Sequence, residues 1–205
     1  DLTTDQVLQE AGLFRSSEEL LFTGPLALEV GGQVIDFAPL KHGAAIGART
    51  VKELQIADLK ADTVITIENK ASYREYCSQM DENTLAIYLG GFPGPMKKMF
   101  LAKLYLWAQA NMPDTSFLHW GDIDLGGVRI FMNLCTVVPS LKPHLMDAET
   151  LLQHRDRCQP LAKEYARQLE ALLDDGQYQQ FHDVIETMLR ENIRLEQEGI
   201  VAPLV

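Results

Sequence analysis

The chain has 205 residues, 46% of them hydrophobic and 23% charged, the balance of an ordinary globular protein with length for one large domain or a core with an appendage. No apolar run approaches the ~18 residues of a membrane span. The formal net charge of −11 argues against a uniformly basic nucleic-acid surface, but a local basic strip with metal ions would still bind phosphate.

The opening Asp1-Leu-Thr-Thr-Asp-Gln lacks the basic start and apolar stretch of a signal peptide, and it lacks an initiator Met, so a piece of a longer protein is expected. Cys77, Cys135 and Cys158 form neither a CxxC pair nor a zinc pattern. Reduced thiols in a cytoplasmic protein are expected.

In chain order, Val7 to Leu13 carries a short helical pattern. Leu20 to Gly24, Leu26 to Val30 and Val34 to Phe37 read as short strands, with Gly31-Gly32 as a hairpin turn. Pro39 to Thr50 reads as a connecting loop and Val51 to Leu59 as a short helix. From Asp62, strands alternate with helices. Val64 to Ile67 is a β-branched strand of the buried type, and Ala71 to Met80 a helix. Leu85 to Leu89 is a strand, Gly90-Gly91-Phe-Pro-Gly94 a turn, and Pro95 opens a helix to Ala110. Ser116 to Trp120 is a third strand, followed by an acidic loop and a helix over Val128 to Leu134. Thr136 to Val138 reads as a short fourth strand. This alternation predicts an α/β fold with a parallel sheet covered on both faces. Glu149 to Arg155, Pro160 to Leu173 and Tyr178 to Leu195 read as helices. The expected organisation is an N-terminal extension with a β-hairpin over 1–60, a core over 61–145 and a helical C-terminal region over 146–205.

The most informative stretch is Gly121-Asp-Ile-Asp-Leu-Gly-Gly127. Asp122 and Asp124, two residues apart after a buried strand, can turn their carboxylates to one point and so suit a hard divalent cation. The alternative is that one of them caps the next helix. Glu68 ends the first strand of the alternating unit, and ligands gather at the carboxyl ends of strands in open α/β sheets. Three converging carboxylates suit Mg²⁺ better than zinc, since no His or Cys stands among them. The alternative for Glu68 is a solvated strand end or a salt bridge with Lys70. Gly91, Lys97 and Lys98, at the turn and helix start after the second strand, form a candidate phosphate contact or an ordinary βα turn. His119 is a candidate base or a core histidine, and Arg129 faces the site or pairs with an acid. Glu196 and Glu198 are further carboxylates or a solvated helix end.

These residues resemble a known pattern. A glutamate after one strand, a Gly-Gly-Phe-Pro-Gly turn after the next, and Asp-x-Asp after a third resemble the Toprim domain of type II topoisomerases and related nucleases. Gly-Asp-Ile-Asp-Leu-Gly-Gly is most similar to the topoisomerase VI A subunit branch. Ile-Glu-Asn-Lys, Tyr-Leu-Gly-Gly-Phe-Pro-Gly and Leu-Glu-Gln-Glu resemble the C-terminal domain of the Wadjet defence nuclease subunit JetD. The resemblance implies a Toprim-like parallel sheet and metal-dependent cleavage of double-stranded, circular plasmid DNA. It implies Mg²⁺ or Mn²⁺ held by Glu68, Asp122 and Asp124, a condensin-like SMC complex as partner, and a homodimer. Attack by water is expected, or by a tyrosine on a separate domain as in topoisomerase VI. A Toprim-like phosphotransferase or primase and a silent acidic interaction module are the alternatives.

Overall fold

A computed structural model describes residues 18–200; the helical pattern at Val7 to Leu13 lies outside them. The chain opens with strands β1 (Glu19–Thr23), β2 (Leu26–Val30) and β3 (Gln33–Asp36). Gly31 and Gly32, at φ 59° and 76°, supply the left-handed turn that joins β2 to β3, with Val30 opposite Gln33.

The next stretch differs from expectation. Residues expected as a loop and a helix form strand β4 (Ala44–Gly47), helix α1 (Ala48–Glu53) and strand β5 (Gln55–Leu59). Pairing far along the chain decides this: β4 lies antiparallel on β1, and β5 antiparallel on β2 with buried Ile56 opposite Leu28. Local spacing of apolar residues cannot report such partners.

The alternating unit follows as β6 (Thr63–Ile67), α2 (Lys70–Gln79), β7 (Thr84–Tyr88), α3 (Pro95–Asn111), β8 (Ser116–Trp120), α4 (Leu125–Cys135) and β9 (Lys142–Pro143). The central sheet has six strands in the order β4-β1-β7-β6-β8-β9, flanked by helices. Only β7, β6, β8 and β9 run parallel; β1 is antiparallel to β7 and to β4, so the sheet is mixed rather than wholly parallel. The expected strand at Thr136 to Val138 is a turn. Val138 is buried there, and the strand partner of Leu118 and His119 is Lys142–Pro143.

The C-terminal region holds helices α5 (Ala148–Gln153), α6 (Lys163–Leu173) and α7 (His182–Glu191), with β10 (Gln159–Pro160) paired to β11 (Ile193–Arg194). Asn192, at φ 56°, ends α7 earlier than the apolar spacing suggests and turns the chain back toward the sheet. Aromatic contacts tie the three segments together: Phe22 stacks on Phe100 at 6.3 Å, and Phe131 meets Phe181 edge-on at 5.0 Å. No helix among the described residues is long and apolar enough to cross a membrane.

Candidate metal centre

Parallel pairing of β6 with β8 sets Ile67 opposite Trp120, so the residues just beyond, Glu68 and Gly121, leave the sheet at the same rim. The Glu68 N–H donates to the Trp120 carbonyl at 3.0 Å. On the other side of β6, Ile67 lies opposite Tyr88, and the Gly90 N–H donates to the Glu68 carbonyl at 3.0 Å. The three βα loops therefore meet at one carboxyl rim. Glu68 and Asp122 stand together there, the Asp122 N–H facing Glu68 Oε2 at 3.4 Å.

Burial pushes both carboxyls upward, and mutual repulsion with Asp124 and Glu196 adds to it. Glu68 is raised, and Asp122 is raised to about 7. Neither carboxylate has a cation within ion-pair distance among the described residues. Asp124 is differently engaged. It is the N-cap of α4, its Oδ1 accepting from the Gly127 N–H at 2.8 Å. Its Oδ2 meets the Arg194 guanidinium at 3.2 Å, and Arg194 also reaches Glu196 at 2.7 Å. The guanidinium lies over the Tyr165 ring at 5.7 Å, and the Tyr165 hydroxyl accepts from the Leu125 N–H at 2.8 Å.

Two glycines leave room for this packing. A Cβ on Gly127 would lie 2.1 Å from the Asp122 carbonyl oxygen. A Cβ on Gly121 would lie 2.8 Å from both Glu68 Oε2 and His119 Nε2, which flank the same space. His119 itself is fully buried. The Thr66 hydroxyl gives its single proton to the Leu118 carbonyl, so it accepts from His119 Nδ1 at 2.9 Å. That leaves His119 Nε2 bare and without a partner among the described residues. Burial holds the ring neutral, pushing its pKa down to about 3. A core histidine beside the site is the outcome here, with its free nitrogen turned toward the glutamate's loop.

The remaining candidates are spread around the rim. Gly91, at φ 90°, is half-buried in the loop after β7. Lys97 is buried and faces inward, its ammonium on the Leu89 carbonyl, 3.9 Å from Glu18 and 5.4 Å from the Tyr88 ring centre. It holds the glycine turn from beneath. Lys98 is half-buried on α3 and Arg129 is exposed on α4. A separate cavity of about 830 Å³, lined by Tyr73, Cys77 and Thr84, lies at the amino end of β7 and includes none of Glu68, Asp122 and Asp124.

The segment after β11 supplies more than the carboxylates of Glu196 and Glu198. Leu195 bridges to Ile123. Gln197 is fully buried and bonded to the loops on both sides, and Glu198 accepts from Asn69 Nδ2 at 2.7 Å. Asn69 was legible as a helix cap, since it precedes α2 and its Oδ1 accepts from the Ala71 N–H at 2.7 Å. Gln197 stood in the sequence only within the Leu-Glu-Gln-Glu stretch, and Arg194 gave no local signal.

Oxygen-only donors and two uncompensated carboxylates fit a hard divalent cation. Glu68 and Asp122 would hold it, and Asp124 would join by exchanging its bond to Arg194. Among the described residues no group of three or more His, Cys, Asp or Glu side chains is already gathered as a cage. Such an ion would supply Lewis-acid chemistry toward an oxyanion.

The family model of the C-terminal region of the Wadjet protein JetD matches residues 27–205. The chain belongs to the JetD C-terminal family. The Wadjet protein JetD of Bacillus cereus (strain Q1) is 30% identical over 201 residues, covering 98% of this chain and 48% of that protein. This chain thus spans about half the length of that JetD relative.

Proposed function

We propose that this chain is the metal-dependent DNA-cleaving domain of a JetD-type Wadjet subunit, in a defence system acting on plasmid DNA. The observation that carries the reading is the meeting of Glu68 and Asp122 at one rim, with the Asp122 N–H 3.4 Å from Glu68 Oε2. Two carboxylates whose ionisation burial opposes are a costly arrangement unless a cation joins them. The fold in this reading is Toprim-like, and Glu68, Asp122 and Asp124 hold Mg²⁺ or Mn²⁺ against the scissile phosphate. Exposed Arg129 and half-buried Lys98 give phosphate contacts beside it. The turn at Gly91 brings backbone amides near the same rim. Buried Lys97 braces that turn and is not a direct contact in this arrangement. Water attacks the phosphorus in this reading, because Tyr165, the tyrosine beside Asp124, is committed to the Leu125 N–H, and Tyr73 lies in the separate cavity bonded to Thr23. Double-strand cleavage then needs two copies, and SMC-type subunits deliver circular DNA.

The test is a titration of Mg²⁺ or Mn²⁺ with supercoiled plasmid, alone and with SMC-type partner subunits. Metal-dependent nicking or linearisation that disappears in Glu68→Ala and Asp122→Ala supports the reading. Cleavage that persists in both variants contradicts it. A second reading, a silent acidic module that binds protein partners, is favoured by the Arg194 bond that already neutralises Asp124. It predicts no cleavage under any of these conditions and no metal binding.

A further inference from the structure

Gln197 lies in the segment after β11 and is fully buried. A buried amide is tolerated only when its polar atoms are bonded, and both ends of this one are. Its Oε1 accepts from the Asn69 N–H at 2.7 Å, and its Nε2 donates to the Trp120 carbonyl at 3.0 Å. Its backbone N–H donates to Asp122 Oδ1 at 2.7 Å. The three partners come from both acidic loops. Asn69 follows Glu68 after β6, whereas Trp120 and Asp122 belong to β8 and the loop beyond it. The β6–α2 loop and the β8–α4 loop are otherwise joined at this level by the Glu68 N–H on the Trp120 carbonyl and by the long contact between the Asp122 N–H and Glu68.

We infer that Gln197 is a positioning residue for the carboxylate pair. It clamps the two loops at one separation and aims the Asp122 carboxylate while leaving its second oxygen for a ligand. The inference rests on the proposed metal site and adds a residue to it that touches neither metal nor substrate. An amide suits the task because it offers a donor and an acceptor on one rigid plane, and the two backbone groups it joins are one of each kind. Groups that orient metal ligands typically change affinity 10–100-fold when removed.

The test uses Gln197→Met, which keeps the volume and loses both side-chain bonds. Unfolding is followed first, to establish that the variant retains cooperative folding. Mn²⁺ affinity is then measured by calorimetry, and amide hydrogen exchange is followed without metal. The expected result is Mn²⁺ affinity lowered about tenfold, with protection lost at the Asn69 amide and unchanged at Ile65 and Leu118 in the strands behind. Where Gln197→Met does not fold, Gln197→Ala, which leaves room for water to reach both backbone groups, carries the same expectations. Unchanged exchange at Asn69, or unchanged Mn²⁺ affinity in a variant that has lost that protection, overturns the inference. Should wild-type protein bind no Mn²⁺, the metal reading fails by itself. The exchange measurement then decides alone whether Gln197 clamps the loops.

Discussion

Arg194 Nη1 lies 3.2 Å from Asp124 Oδ2, placing the only guanidinium that reaches the acidic rim among the described residues on the aspartate that also caps α4. The same guanidinium reaches Glu196 at 2.7 Å. A fixed positive charge here substitutes in part for a cation and opposes one.

Replacing Arg194 with Gln therefore separates stability from metal binding. Without metal, the variant is expected to lose about 1 kcal/mol, because the pair is only partly shielded from water. With Mg²⁺, its melting temperature is expected to rise by more than that of wild type, since the competing charge is gone. Thermal melts with and without Mg²⁺ check both halves. An equal Mg²⁺ response in the two proteins shows that Arg194 does not compete.

Asp122 gives a prediction in pH. Its carboxyl titrates near 3.8 when unfolded and near 7 when folded. The unfolded chain releases this proton first, so the group's ionisation opposes folding. Its effect is nil below about pH 4, grows as pH rises through the window between the two values, and levels off above about 7. Asp122→Asn keeps an oxygen for the Gln197 N–H and removes the charge. In metal-free buffer the variant is expected to come close to wild type near pH 4 and exceed it at pH 8, by on the order of 4 kcal/mol. A stability difference that does not vary with pH contradicts the raised carboxyl.

The glycines make graded predictions. Gly127→Ala sets a methyl group 2.1 Å from a backbone oxygen, which must move, so a loss of roughly 2–4 kcal/mol is expected. Gly121→Ala meets only the ends of two side chains, Glu68 and His119. A smaller loss of stability is expected, with metal affinity reduced because Glu68 is displaced. Denaturant unfolding and calorimetry of the two variants test the ranking.

His119 is expected to remain neutral in the folded protein well below the usual titration of histidine, because burial depresses its pKa to about 3. Folding stability tied to this group is present above about 6.5 and is lost as pH falls toward the folded value. Nitrogen chemical shifts followed from pH 7 down to the onset of acid unfolding check it. Protonation near 6.5 in intact protein contradicts the buried, partnerless Nε2.

Much of this site was legible in the chain. Strand–helix alternation set Glu68 and Asp122 just beyond neighbouring strands, and the parallel pairing of β6 with β8 then required a shared rim. The residues that escaped notice act across distance. Arg194 and Gln197 meet partners 70 or more positions away, at Asp124 and at Asp122, Trp120 and Asn69, so no spacing marks them. The mixed character of the sheet was hidden likewise, since β1 and β4 join β7 through long-range antiparallel pairing that local patterning does not encode. Lys97 carried a misleading signal. A lysine at a helix start after a glycine turn reads as a phosphate contact, yet its side chain folds under that turn onto the Leu89 carbonyl.

The central claim is that the carboxylates after β6 and β8 form one cation site. Calorimetric titration of the whole chain with Mg²⁺ and Mn²⁺, repeated on Glu68→Ala and Asp122→Ala, measures this directly. Saturable binding by wild type that is abolished in each variant, with each variant still folding cooperatively in metal-free buffer, is the predicted result. Binding that survives unchanged in either variant, or no binding to the wild-type chain, would contradict it.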